Sequence, residues 1–323
     1  TLDKNKCYLI DITGVDAADA GQDCAVHGIK FVVSGGVTPP ETIAQPTITG
    51  ETPFFRTTTV TLACETEGAS IFYTTDGTTE PTAESTPYTE PFEITATTTV
   101  KAIAIKGEDM SAVATKEFIA NPTVTTVAEL NALANGTAFL FNGEALVVAK
   151  QTKTTSKGTQ EYVYIKDATG ASLIFDNGST KTEAAVVGKT LTAGWTGKVS
   201  VFNGLFELVP DAALAVNEGD AVAVTYDEAQ LADVVEANVN KVVTLKGVTY
   251  TAPTGAYFTI TKGEATVAGY NQFGIEIAEP VVGKTYDMVG AIGIYSKEGT
   301  TTIQFQPISI TKVAEVVAAT VEP

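Results

Sequence analysis

The second half of the chain repeats itself, and any fold proposed for it must suit both copies. "TVAELNALANGTAFLFNGEALVVAKQT" aligns with "TYDEAQLADVVEANVNKVVTLKGVTYTAP". "EYVYIKDATGASLIFD" then aligns with "AYFTITKGEATVAGYNQFGIEI", and "VVGKTLTAGWTGKVSVFNGLFELVP" with "VVGKTYDMVGAIGIYSKEGTTTIQFQPI". Each copy opens with capping-box spacing, Thr126 with Glu129 and Thr225 with Glu228. Val127, Leu130 and Leu133 follow at helical intervals, as do Leu231, Val234 and Val235. The rest of each copy alternates with period two. The pattern predicts a short helix followed by about five strands in each copy.

Upstream of the repeat the strands are shorter. "TTVTLAC", "ASIFYTT", "PFEIT", "TTVKAIAI" and "ATKEFI" fall between residues 46 and 119, separated by turn residues at the close intervals of a β-sandwich. Asp76-Gly77 suits a tight turn, because Gly accepts positive φ and Asp can bond its own backbone. Residues 1–36 hold two apolar runs, "CYLIDI" and "IKFVVSG", too little for an independent sheet and read as the end of an upstream β-domain. "GGVTPPETIAQP" reads as a linker. The expected fold class is all-β. Its parts are a β remnant at 1–40, an Ig-like sandwich at 41–120, and two tandem OB-like β-barrel repeats at 121–219 and 220–323, each preceded by a short helix. A chain of 323 residues, 44% hydrophobic, has length for two or three cores.

The stretch "PTITGETPFFRTTTVTLACETEGASIFYTTDGTTEPTAESTPYTEPFEITATTTVKAIAIKGEDMSAVATKEF" resembles the chitobiase/β-hexosaminidase C-terminal domain. The shared features are a Tyr-Thr-x-Asp-Gly turn leading to Pro-Thr, the strand "PYTEPFEI", and "VKAIAI". The turn "DGTTEPT" is one residue longer than the usual pattern. This resemblance implies a small Ig-like sandwich appended to secreted enzymes and surface proteins, and it implies no hexosaminidase activity. The order of elements in the repeats resembles the OB-fold-like modules of secreted Bacteroidota-type proteins. OB-folds commonly carry their helix between the third and fourth strands, whereas here the helix comes first.

Several chemistries lack their residues. The formal net charge is −18 and no segment is basic, which argues against nucleic acid. One histidine, His27, and three cysteines, Cys7, Cys24 and Cys64, without CxxC or HxxxH spacing, make a poor zinc set. Cys64 ends the alternating run Val60, Leu62, Cys64 and reads as core-facing, while Cys7 and Cys24 could pair in an exported chain. The two "VGKT" sequences lack the upstream glycine of a phosphate loop, with Glu183 and Ala278 in its place. Asp76 and Glu80 sit in one turn rather than across a cleft, as glycoside hydrolysis would need. No G-x-S-x-G elbow occurs. No catalytic residue, metal or cofactor is assigned.

Aromatic residues offer one candidate site. In "EYVYIKD", Tyr162 and Tyr164 share a face opposite Val163 and Ile165, and if the latter are core the tyrosines point outward. With Trp195 they form the expected ligand platform, able to stack on sugar rings. The expected function is therefore non-catalytic: an exported or cell-surface protein that binds or presents glycans or other extracellular ligands. Its partners would be a glycan or a surface protein, and its place the outer surface or surroundings of a Gram-negative bacterium. No apolar run is long enough to span a membrane, so a lipid anchor would lie upstream. The alternatives are a structural spacer, or an OB-type accessory region of a secreted nuclease or glycoside hydrolase.

Overall fold

The computed structural model describes residues 42–156, 158–178 and 180–313. Cys7, Cys24, His27 and both N-terminal apolar runs lie outside the described residues. The chain divides into Thr1–Thr42 and Ile43–Pro323, and the second unit holds every element described.

The first part of that unit is a sandwich. Strands β1 (Thr47–Thr49), β2 (Thr58–Ala63), β3 (Ser70–Thr74), β4 (Thr86–Pro87), β5 (Phe92–Ile94), β6 (Thr98–Lys106), β7 (Asp109–Met110) and β8 (Ala114–Phe118) form two sheets. One has the order β1-β2-β5, the other β4-β3-β6-β7 with β8 also on β6. Period-two alternation turns Val60 and Leu62 of β2 inward against Val100, Ala102 and Phe118. Each such aromatic or branched side chain contributes about 1.5–3 kcal/mol when fully buried. Tyr73 stacks on Phe92 with ring centres 4.5 Å apart. Cys64, one residue beyond β2, is only half-buried, and its thiol donates to the Ala44 carbonyl at 3.2 Å.

The Asp76 turn is a closed local structure. Gly77 has φ +73°. Asp76 Oδ1 accepts the N–H groups of Thr78 and Thr79 at 3.0 and 2.8 Å, and Oδ2 accepts the Thr79 hydroxyl. These bonds, the Thr79 hydroxyl foremost, pull the Asp76 carboxyl down to about 2. Glu80 is committed elsewhere, in an ion pair with Lys101.

The repeats are two closed barrels. The first contains β9 (Thr123–Val124), α1 (Val127–Asn131), β10 (Ala138–Phe141), β11 (Ala145–Thr155), β12 (Gly158–Lys166), β13 (Ala171–Asn177), β14 (Thr190–Leu191), β15 (Trp195–Phe202) and β16 (Leu205–Pro210). The sheet runs β11-β12-β13-β16-β15-β10. Only Asn142, Gly143 and Glu144 separate β10 from β11, so these two act as one bent first strand that closes the ring. The second contains β17 (Asp227–Ala229), β18 (Val242–Tyr250), β19 (Tyr257–Lys262), β20 (Ala265–Tyr270), β21 (Tyr286–Lys297) and β22 (Thr300–Lys312). Here β18 pairs with both β19 and β21, closing the ring directly. Counting strands within each barrel, the order is 1-2-3-5-4-1 with strands 3 and 5 parallel, an OB-like arrangement. In both, the first strand carries a bulge, near Val148 and near Gly247, which supplies the bend that shared pairing needs.

The helices differ from expectation in the second copy. In the first, Thr126 and Glu129 make the predicted capping box: Thr126 Oγ1 accepts from Glu129 N–H and Glu129 Oε2 from Thr126 N–H. In the second, Thr225 and Glu228 do not, because Asp227–Ala229 is drawn into parallel pairing with β18. Two 3-10 turns follow instead, Leu231–Asp233 and Glu236–Asn238, and Asp233 caps Gln230 N–H at 2.8 Å. Between strands 3 and 4 of the first barrel, where an OB helix would lie, the loop is pinned by side chains. Asp176 Oδ2 accepts from the backbone of Lys181 and Thr182, and Thr182 Oγ1 also donates to Glu161, itself paired with Lys150 at 2.8 Å.

The barrels dock through the outer face of β12. Val163 and Ile165 fill the first core, so Tyr162 and Tyr164 point out of it. Tyr164 is shut off from solvent, and Tyr162 keeps only an edge on a neighbouring cleft. Phe273, on the loop after β20, meets both edge-on, with ring centres 5.5 and 6.5 Å away. Val148, Leu173, Val242 and Ala291 complete this apolar seam. Polar bonds fix its edges: Tyr226 hydroxyl to Val148 carbonyl at 3.0 Å, and Asn240 Nδ2 to Phe206 carbonyl at 2.9 Å.

Two outcomes follow from this packing. Thr79→Val should raise the Asp76 carboxyl toward its ordinary range, read by carboxyl NMR titration. Because the folded value is depressed, any stabilisation from Asp76 is present above its ordinary value and fades as pH falls toward about 2. Tyr164→Ala should cost about 3 kcal/mol or more in denaturant unfolding; a loss below about 1 kcal/mol would mean the second barrel does not cover this face.

Candidate functional site

The three residues expected to form a platform are not on an open surface. Trp195 lies inside the first barrel, 9% exposed, edge-on to Phe139 at 5.2 Å and tilted to Phe141 at 5.6 Å. Cross-strand pairing of Phe141 with Trp195 puts both on the inward side of the sheet. Tyr162 and Tyr164 are on the opposite side of the barrel wall, sealed in the seam. The structure therefore separates Trp195 from the tyrosine pair. The outward reading of the pair is corrected by the second barrel, which occupies the space where solvent was expected. Burial raises the pKa of both phenols.

Next to the seam, a cleft of about 310 Å³ opens between the barrels, and Tyr162 is part of its wall. The first barrel supplies Glu207 from β16 and Phe202 and Asn203 from the hairpin tip before it. The second supplies Tyr257, Tyr270, Tyr295, Gln304 and Gln306. Strand alternation explains each orientation. Glu207 lies between Phe206 and Leu208, which face the first core. Gln304 and Gln306 flank Phe305, which is fully buried in the second. Glu207 precedes core residue Leu208 and Gln304 precedes core residue Phe305, so each points out of its own barrel. Gln306 has room because β21 carries Gly293 beside it: a Cβ there would lie 2.3 Å from Gln306 Nε2.

The cleft is apolar at its rim and polar within. Phe202 is 65% and Tyr257 61% exposed, and Tyr257 leans on Tyr270 with ring centres 4.9 Å apart. Glu207, by contrast, is 5% exposed, and Gln304 and Gln306 are nearly as buried. Gln304 Oε1 is out of contact with water and accepts no hydrogen bond. Gln272 Nε2 donates to the Tyr162 hydroxyl at 3.1 Å, tying the rear wall together. Desolvation pushes the Glu207 carboxyl up to about 7. A second concavity, of about 370 Å³, is lined by Asp167, Asp227, Glu228 and Asp233, and three of these carboxylates are in use. Asp167 accepts from Val127 N–H at 2.8 Å, Glu228 pairs with Lys246 at 3.0 Å, and Asp233 caps Gln230.

Glu207, Gln304 and Gln306 were missed in the sequence. The signal was there in "FELVP" and "TIQFQPI", where polar residues alternate with apolar ones on the last strand of each copy. Only docking shows that these polar faces meet. The "VGKT" sequences are turns, with Gly188 at φ +86° and Gly283 at φ +77°, as their spacing predicts. Among the described residues, no group of three His, Cys, Asp and Glu side chains is placed to hold a metal ion.

Residues 50–115 match the family described as the chitobiase/beta-hexosaminidase C-terminal domain. That family is an accessory, carbohydrate-associated module, and the match covers the sandwich alone. No curated protein matches the chain. Among solved structures, the p204 HINb domain is similar at 11% identity and TM-score 0.34, covering 54% of this chain and 97% of that one. The Ifi202 HINa domain in complex with 20bp dsDNA has 10% identity and TM-score 0.34, covering 55% of this chain and all of that one. The replication protein A heterotrimer bound to ssDNA has 8% identity and TM-score 0.21, covering 88% and 96%. Scores this low carry no argument for this chain.

The buried carboxyl gives a test of the site. Glu207 has a folded pKa above its unfolded one, so the folded state holds the proton more tightly. Stability should fall as pH rises from the ordinary carboxylate range through about 7, by an amount on the order of 3 kcal/mol. Glu207→Gln should remove this slope, leaving the variant more heat-stable than the parent at pH about 8 and similar to it at pH about 4. Parallel melting curves across that range would show Glu207 to be stably charged and compensated instead.

Proposed function

We propose that this chain is a non-catalytic part of an exported or cell-surface protein, and that its inter-barrel cleft binds a glycan. The observation that carries the reading is the lining of the cleft: two buried glutamine amides and a buried carboxyl behind a rim of exposed aromatic rings. Sugars present hydroxyl groups in pairs and apolar C–H faces. Amides and carboxyls meet the first, and aromatic rings meet the second. A buried, unpaired amide oxygen such as Gln304 Oε1 is costly when empty, and a ligand hydroxyl would satisfy it. The sandwich, similar to an accessory module associated with carbohydrate-active enzymes, suits the same role. Asp76 is held by its own turn and Glu80 by Lys101, and Glu207 shares its cleft with amides.

A broad glycan array, followed by calorimetry on any hit, tests this. Tyr257→Ala and Gln304→Ala should each weaken a true cleft ligand about tenfold, as the loss of a stacking face or a buried hydrogen bond predicts. Trp195→Ala should act only through stability, since Trp195 is in the core. A ligand whose affinity ignores Tyr257 and Gln304 binds elsewhere. An array without hits favours the spacer reading, in which the modules hold another domain away from the cell.

A further inference from the structure

We propose that the cleft is built for a polyhydroxylated ligand bearing a positively charged amine, with the ammonium group on the Glu207 carboxyl and hydroxyls on Gln304 and Gln306. The inference rests on the glycan reading of the same cleft and names the kind of glycan.

The first ground is Glu207 itself. It is almost wholly removed from water, yet no described residue donates a hydrogen bond to its carboxyl or pairs with it as an ion. Buried Asp176 and half-buried Glu161 are treated differently. Asp176 receives three donors, and Glu161 receives Thr182 and Lys150. A buried charge without a partner is costly, and a bound cation removes that cost.

The second ground is the balance of donors and acceptors. Gln304 Oε1 is a buried acceptor without a hydrogen bond, and the Glu207 carboxyl offers acceptor oxygens in the same cleft. An ammonium group brings three donors and a charge, and sugar hydroxyls bring more. The third is the wall. Tyr162, Tyr257, Tyr270, Tyr295 and Phe202 surround the space, and aromatic faces attract cations as well as sugar C–H faces. The charged and titratable groups facing Glu207 are these tyrosines and Lys153 of β11. Lys153 forms no ion pair with Glu207, so the carboxyl is left for the ligand.

The ligand's charge predicts the pH response. An amine binds the ionised carboxyl, whereas the empty cleft favours the protonated one. Affinity should climb as pH rises toward about 7.

The experiment compares the intact chain and Glu207→Gln by calorimetry. The probes are 2-amino and 6-amino glucose oligomers, their N-acetylated forms, and plain glucose oligomers of the same length. The amino probes should bind at least about tenfold tighter than either neutral series, and tighten about tenfold between pH about 5.5 and about 7. In Glu207→Gln, checked by melting to be folded, both the preference for amino probes and the pH response should vanish. Equal affinity for amino and neutral probes, or a preference that survives Glu207→Gln, overturns the inference and leaves the glycan reading standing. Failure of every probe with a folded protein overturns both.

Discussion

The seam between Tyr162, Tyr164 and Phe273 governs the second half of the molecule. A closed barrel has no edges, but it has an outside, and on β12 that outside is aromatic. Burying it against the second barrel turns an aggregation hazard into a fixed geometry. Because the seam is apolar and closely packed, it sets which strands come next to each other. Strand β16 comes to lie against β21 beside it, and outward side chains of both barrels become the walls of one cleft. The connecting segment reinforces this. Leu214 packs into the first core, and Val222 N–H donates to the Gly188 carbonyl at 2.9 Å. Gly188 must be glycine there, since a Cβ would lie 2.2 Å from the Val222 carbonyl oxygen.

Two carboxyls show how differently the fold treats one chemical group. Asp76 sits in open solvent but is wrapped by donors, so its proton leaves at about 2. Glu207 is largely removed from water and no described residue donates to its carboxyl, so its proton stays to about 7. The first is a finished local structure with nothing left to bind. The second is unfinished, and that difference directs attention to the cleft rather than to the turn.

Much of the fold was legible because period-two alternation survives in the chain. The segments read as strands from "TTVTLAC" to "ATKEFI" correspond to β2, β3, β5, β6 and β8. The capping box at Thr126 was equally plain, since its partners are three residues apart. Its counterpart at Thr225 failed because a parallel strand partner, distant in sequence, claimed Asp227–Ala229 first. The site was harder for the same reason. Alternation shows that Tyr164 points away from one core, but not that a second barrel waits there. Nor can it show that Glu207 and Gln304, nearly a hundred residues apart, share a wall.

The asymmetry of the two copies has one more consequence. Where the first barrel has Tyr162 and Tyr164 on its second strand, the second has Tyr257 and Thr259, both exposed. The adhesive pair has been replaced by a ring and a small hydroxyl. The ring that remains, Tyr257, is thereby left out of the packing and becomes part of the rim of the cleft.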